Sequence, residues 1–473
     1  MERLKKIGHL KTCTAQEMGF SRLGLGLEKL DRDLYDPANA YDLLANLGVK
    51  WIRLQSGWMR TEKQEGVYDF AWLDDIVDNL IKRGMIPWLD LVYGNPIYTE
   101  DAKPIFGAVG RPPIWTEKEL TAWQNYVKAL VRHFKGRVEY FEIWNEPDCN
   151  YSWRVTPNAK EYGECALCTA RAIHAADKNA KAIGGAMGAI RLSYIRTALD
   201  TGMGREIDAF SFHRYNAHEQ QIMQDVLSLR ALLNEYNPDI KLIQGESGTQ
   251  SSSQGAGALS GGAWDEEKQM KYLLRHRVID MAAPLFFTSH FSALDMAEAL
   301  RGTNAELASR KDYGYFGVLN AQFGEDGRCL GTYKPKKSYY ALMQVAAALG
   351  SEDVKPCLLP LQRKINRSPR YFANDCEKDI TIYGFERKGK RAMAYWRPAD
   401  LMTETYQGTV SFECPDCFGK DPVLVELRNG NVYELPEEYR KDGEFATEEI
   451  NNLPVSDTPM LLMDRDFAGI IFD

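Results

Sequence analysis

The stretch Tyr140-Phe141-Glu142-Ile143-Trp144-Asn145-Glu146-Pro147 decides the reading of this chain. Its first half is apolar and β-forming. Its second half is an amide, a carboxylic acid and a proline, and the proline has no N–H to continue a sheet ladder. The segment therefore predicts a strand over Val138–Ile143 that delivers Asn145 and Glu146 at its C-terminal end. Further on, Lys241-Leu242-Ile243-Gln244-Gly245-Glu246-Ser247-Gly248 repeats the design: an apolar strand, a glutamate, then a glycine-bearing loop.

Outward from these two segments, short apolar strands alternate with amphipathic stretches, which is the pattern of βα units. Strands are predicted over Ser21–Leu27, Trp51–Leu54, Ile86–Leu91, Val138–Ile143, Ala182–Gly185, Ala209–His213, Leu242–Gly245 and Leu285–Ser289. Helices are predicted over Ala38–Asn46, Trp72–Lys82, Glu117–His133, Ala159–Asp177, Leu192–Asp200, His218–Glu235, Glu266–Met281 and Tyr339–Leu349. A strand followed by a helix, eight times over, is an α/β chain of the (β/α)8 TIM barrel class. Asp36-Pro37, Thr116 with Glu119, and Thr156-Pro157 supply helix-start signals.

Past about residue 352 the helical period stops. Ile380-Thr381-Ile382-Tyr383, Ala392–Trp396, Thr409–Phe412 and Val423–Leu427 read as strands, and Asn429-Gly430-Asn431 as a hairpin turn. The expected organisation is a barrel over residues 18–351 and a C-terminal all-β sandwich over 352–473, joined by a strand from residues 1–17.

The 473 residues suffice for one large barrel plus a smaller module. A net charge of −8 without a basic stripe argues against nucleic acid as partner. No apolar run is long enough to span a bilayer, and the N-terminal Met1–His9 lacks an apolar signal core, so a cytoplasmic location is expected. Nine scattered cysteines do not suggest a disulfide framework. The pairs Cys165/Cys168 and Cys414/Cys417 fall in different domains and read as reduced structural thiols, with no metal expected. The sequence leaves the oligomeric state open, a homo-oligomer included.

Barrel enzymes place their chemistry at the C-terminal ends of the strands. Those ends give Arg53 from the second strand, Asp90 and Tyr93 from the third, and Asn145 and Glu146 from the fourth. The sixth gives His213 and Tyr215, the seventh Glu246 and the eighth His290. Paired glutamates suit cleavage of a glycosidic bond, where an acid protonates the leaving oxygen and a carboxylate attacks or shields the anomeric carbon. Arg53 and Tyr215 are expected to hold Glu246 ionised, while burial and the negative Glu246 keep Glu146 protonated. Asn145 is expected on the sugar 2-hydroxyl. Trp58, Tyr93, Trp115, Trp153 and Trp264 fall in βα loops, where rings can serve as sugar platforms or simply fill the core. The loop Thr249–Gly262 reads equally as a lid over the site or as an exposed segment.

Trp144-Asn145-Glu146-Pro147 and Gln244-Gly245-Glu246-Ser247 resemble the acid/base and nucleophile signatures of clan A glycoside hydrolases, retaining enzymes on (β/α)8 barrels. Trp51-Ile52-Arg53-Leu54 and Ser211-Phe212-His213-Arg214-Tyr215 match as well. Gly66-Val67-Tyr68-Asp69-Phe70 with Trp72-Leu73-Asp74, and the tail Asn452–Leu462, resemble family 39 β-xylosidases and their relatives. The resemblance implies Glu146 as acid/base, Glu246 as nucleophile and Asn145 on the 2-hydroxyl, with Arg53, His213 and Tyr215 supporting the nucleophile. Two departures bear on the sugar. Ser289-His290-Phe291 stands where many clan members carry a tryptophan at the end of the eighth strand, and Ser247-Gly248, not an aromatic, follows the nucleophile.

The expected function is a retaining β-glycosidase, exo-acting on β-linked glycosides or oligosaccharides through a glycosyl-enzyme intermediate, with a carbohydrate substrate and no cofactor. Its competitors are a non-catalytic carbohydrate-binding barrel, an endo-acting glycanase of the same clan, and a metal-dependent hydrolase or lyase on the same barrel.

Overall fold

The computed structural model describes residues 4–153, 156–216, 218, 219, 221–298, 312–364, 380–415, 417–443 and 447–473. Eight parallel strands close into a barrel: Leu23–Gly26, Trp51–Gln55, Ile86–Leu91, Tyr140–Ile143, Lys181–Met187, Ala209–His213, Lys241–Ser247 and Phe287–His290. Closure comes from Leu25, whose strand pairs with Ile52 on one side and His290 on the other. Trp51, Trp88, Tyr140, Ile183, Ile243 and Phe287 fill the lower interior, with the Trp51 and Phe287 rings stacked at 4.2 Å. This apolar plug closes the bottom of the barrel, so its polar residues collect at the mouth.

The helices follow the expected positions with shifts set by their caps. Thr116 and Glu119 form both halves of a capping box on Glu117–His133. The helix Ala159–Ala176 does not start on the expected Thr156-Pro157 signal. Asn158 caps it instead, its side chain accepting the N–H groups of Lys160 and Glu161. Asp36 turns the chain by accepting the Ala38 N–H, which delays the next helix to Tyr41–Ala45.

The tail forms two antiparallel sheets. The larger runs in the order Lys355–Cys357, Thr381–Arg387, Lys390–Trp396, Met460–Met463, Val423–Glu426, Asn431–Glu434, Lys6–Leu10, Ile470–Phe472. Gln362–Lys364, Gln407–Cys414, Glu448–Ser456 and Arg440–Asp442 make the smaller one. The N-terminal segment thus lies inside the C-terminal sheet.

Helix Glu266–Ala282 joins the two halves and is buried along almost its whole length, so it lacks a solvent stripe. From it Lys271 meets Asp457 at 2.7 Å, and Arg275 donates to the carbonyls of Asp457 and Ala399. Glu219 accepts from Arg275 and from the Trp396 indole, both at 3.2 Å. Among the described residues, no helix is long and apolar enough to cross a membrane. The described cysteines carry free thiols.

Candidate active site

The fourth strand ends in an unusual backbone. Trp144 has φ 66° and Glu146 φ 48°, left-handed values that side-chain-bearing residues adopt at a cost. Hydrogen bonds hold the elbow there. The Glu146 N–H donates to the Ala186 carbonyl at 2.8 Å, and the Ser152 hydroxyl caps the Asn145 carbonyl. Asp148 accepts the N–H groups of Gly188 and Ala189 at 2.7 and 3.2 Å. Asn145 and Glu146 are thereby aimed inward across the barrel mouth. On the seventh strand Gly245 makes room for its neighbours, since a Cβ there would lie 2.2 Å from the Ser211 hydroxyl oxygen. A side chain there would have to displace the Ser211 hydroxyl.

Arg53 is the hub, fully buried over the Trp88 ring. Its Nε donates to Glu142 at 2.7 Å, and Nη1 donates to Glu246 at 2.9 Å and to Glu28 at 3.3 Å. Nη2 donates to the Asn145 amide oxygen at 3.0 Å and lies 3.1 Å from Asp90. The Tyr215 hydroxyl donates to the second oxygen of Glu246. His213 sits between the two glutamates, with Nδ1 at 3.1 Å from Glu146 and 3.5 Å from Glu246. One oxygen of each glutamate and this nitrogen all lie within 4.8 Å of one another.

The two carboxyls are pushed in opposite directions. Burial raises Glu146 above its ordinary value, with repulsion from Glu246 and Asp148 adding to it, and this outweighs the hydrogen bond from His213. Glu246 is also buried, but His213, Arg53, the Tyr215 hydroxyl and Lys29 together overcome burial and bring it below its ordinary value. His213 is raised despite burial, because both carboxylates favour its proton. The three groups make one ion-paired network, and their spacing would also suit a cation. Asp90, beneath Arg53, is raised well above a free carboxyl by burial despite the guanidinium.

The glutamates open into a cavity of about 100 Å³ whose walls include Lys29, Arg32, Gln55, Tyr93, Phe291 and Phe316. Arg53, Asn145, Glu146, His213, Tyr215 and Glu246 thus form one connected cluster, and Tyr93 lines the cavity beside it. Asp90 lies behind the cavity wall as a partner of Arg53.

Besides Asp90, the structure keeps two further expected residues, His290 and Trp264, away from the cavity. His290 is fully buried with neither ring nitrogen hydrogen-bonded, and burial with the nearby Arg277 and Lys336 charges keeps its ring neutral. Side chains alternate along a strand, and the next residue, Phe291, reaches the cavity instead. Trp264 donates its indole N–H to Leu259 and packs on Tyr272 and Leu401, pinning the Thr249–Gly262 loop from behind. The loop touches the cavity through Ala258, and Gln250 holds it folded by donating to the carbonyls of Ala256 and Ala258. Trp58 and Trp153 are core residues, and Trp115 is exposed at the surface.

Residues missed from the sequence include Glu28, Lys29 and Arg32, just past the first strand. Lys29 pairs with Glu298 at 3.0 Å, and Arg32 donates to Gln55 at 3.0 Å. Applying the strand-end rule to the first strand as well would have found Glu28 and Lys29.

Two glutamates at the ends of the fourth and seventh strands of a (β/α)8 barrel define the clan A class of glycoside hydrolases. Within that class, residues 7–244 match Glycosyl hydrolases family 39, and the chain belongs to that family. It is 28% identical over 187 residues to a β-xylosidase of Caldicellulosiruptor saccharolyticus, which covers 36% of this chain and 37% of that protein. It is 32% identical over 130 residues to endo-1,4-beta-xylanase C of Phanerodontia chrysosporium, covering 26% of this chain and 30% of that one. The chain therefore matches about a third of the length of these two relatives. A family 39 glycoside hydrolase from the gut symbiont Bacteroides cellulosilyticus WH2 superposes with a TM-score of 0.64 at 17% identity, covering 95% of this chain and 82% of the other. A family 39 β-xylosidase from Caulobacter crescentus gives 0.56 at 17%, covering 88% and 84%. At such identities the structural likeness is one of fold.

Proposed function

We propose that this chain is a retaining, exo-acting β-glycosidase that works through a covalent glycosyl-enzyme intermediate. The observation that carries this reading is the close, oppositely tuned pair: oxygens of Glu146 and Glu246 within 4.8 Å, one carboxyl raised and the other lowered. Retaining enzymes hold their carboxyls about 5–5.5 Å apart and inverting ones about 6.5–9.5 Å; the near approach of single oxygens and their shared contact with His213, at 3.1 and 3.5 Å, support the shorter class. Glu246, ionised on Arg53 and Tyr215, attacks the anomeric carbon as Glu146 gives its proton to the leaving oxygen. Glu146 then draws a proton from water, which releases the sugar with its configuration unchanged. Asn145, fixed on Arg53, meets the 2-hydroxyl. The small volume of the cavity supports removal of one terminal sugar rather than cleavage along a chain. The likeness to β-xylosidases makes a β-xyloside the first glycon to test.

The test is turnover of a panel of aryl β-glycosides (xyloside, galactoside, glucoside, fucoside, arabinoside, glucuronide), with the first-formed anomer read by NMR. The wild type should release the β-anomer from at least one, and Glu246→Ala should lose at least about 10⁴-fold in kcat. An α-anomer as first product would refute retention. Undiminished turnover by Glu246→Ala would refute the assignment of the nucleophile.

A further inference from the structure

The cavity holds a third carboxyl that the double-displacement mechanism does not use. Glu28 follows the first strand, is 1% exposed, and lies on the cavity wall beside Glu246. Its Oε1 accepts from Arg53 Nη1 at 3.3 Å, the same nitrogen that holds Glu246 at 2.9 Å. Its Oε2 is buried and has no partner within the protein. A buried carboxyl oxygen without a partner is costly, and a native site that keeps one on a residue lining a cavity points to a ligand group that completes it. Among the described residues, no nearby cation completes it: Lys29 pairs with Glu298, and Arg32 donates through Nη1 to Asp31 and Gln55 while its Nε and Nη2 stay without a partner. Burial pushes the Glu28 carboxyl up to about 7 against the pull of Arg53, with repulsion from Glu246 adding to it. Near neutrality it can therefore either accept or donate a hydrogen bond.

We propose that Glu28 is a specificity-determining residue of this active site, whose Oε2 hydrogen-bonds a glycon hydroxyl other than the 2-hydroxyl. The inference rests on the glycosidase reading above. The fork of Arg53 separates the two contacts. Asn145 occupies Nη2, whereas Glu28 and Glu246 share Nη1. Asn145 and Glu28 thus approach the sugar from different prongs and serve different hydroxyls. A glycon lacking the matching hydroxyl leaves the buried Oε2 unpaired, and sites built on such a bond discriminate strongly.

The experiment compares wild type with Glu28→Gln on the best aryl glycoside and on its 2-, 3- and 4-deoxy analogues. On the parent compound Glu28→Gln is expected to lower kcat/KM about 10- to 100-fold, the range for a hydrogen bond to an acid group. On one deoxy analogue, at C3 or C4, the wild type should already show that loss and the substitution should add less than about 3-fold. An equal penalty on all four substrates would overturn the proposal, because it would mean that Glu28 acts only through Arg53. So would a penalty that vanishes on the 2-deoxy analogue alone. If Glu28→Gln does not fold, Glu28→Asp, which withdraws the carboxyl by one methylene, is put through the same comparison. Wild type inactive on every glycoside overturns the glycosidase reading and this one with it, whereas active wild type with a uniform penalty overturns this one alone.

Discussion

Glu146 and Glu246 are the same residue type with opposite protonation preferences, and the difference lies in what touches them. Glu246 meets one guanidinium, one hydroxyl and the imidazole, whereas Glu146 has the imidazole and its two acidic neighbours, Glu246 and Asp148. The proposed mechanism needs Glu246 ionised and Glu146 protonated. Hence kcat/KM should rise with pH through the lowered value of Glu246 and fall through the raised value of Glu146. In Glu146→Gln, assayed with an activated aryl leaving group that needs no protonation, the acidic limb should persist and the alkaline limb should disappear. A pH profile of kcat/KM for both enzymes checks this, and a surviving alkaline limb would assign it to another group. The pair itself is legible in the sequence, because both glutamates end apolar strands. The partners of Arg53 are not. Which of Glu28, Asp90 and Glu142 reach it depends on how the strands stagger around the barrel, and no single strand records that.

At the scale of the element, the strand ends decide who enters the cavity. The barrel strands were readable from their apolar runs, and Ile86–Leu91 and Ala209–His213 match residue for residue. Parity at a strand's last residue was not readable. His290 and Phe291 are neighbours, and only the pairing of His290 with Leu25 and Ser247 determines which one faces the mouth. Glu28 is missed for another reason: the first strand is bounded at Leu27, directly before it, but the strand ends are read only from the second strand onward. The seventh strand yields a prediction. Gly245→Ala puts a methyl group against the Ser211 hydroxyl and next to the His213 ring, so either the hydroxyl or the strand must shift. The expected cost is about 1–3 kcal/mol of stability. The displaced Glu246 should also reduce kcat far more than KM. Denaturant unfolding and steady-state kinetics test the two parts separately, and an unchanged kcat would show that the strand absorbs the methyl group without moving its glutamate.

At the scale of the molecule, the barrel and the sandwich share a helix rather than merely touching. Lys271 and Arg275 are buried on Glu266–Ala282 and end on Asp457, Ala399 and Glu219. Removing one partner strands buried charge, so Asp457→Ala should cost about 3–5 kcal/mol. Calorimetry should show one unfolding transition in the wild type, and two separate transitions would refute such coupling. Replacing Lys271 and Asp457 together by Met and Leu should recover much of the loss, since an apolar pair of similar volume leaves fewer unmatched charges. A last consequence follows from the elbow at Trp144 and Glu146. Both residues hold left-handed backbone that glycine would accept readily, and Glu146 is also a buried acid. Glu146→Gly would relax the backbone and remove a buried acid, yet it would also leave the buried His213 ring with one of its two carboxylate partners gone. Backbone strain and ion pairing thus pull stability in opposite directions at the one residue that the proposed chemistry needs most.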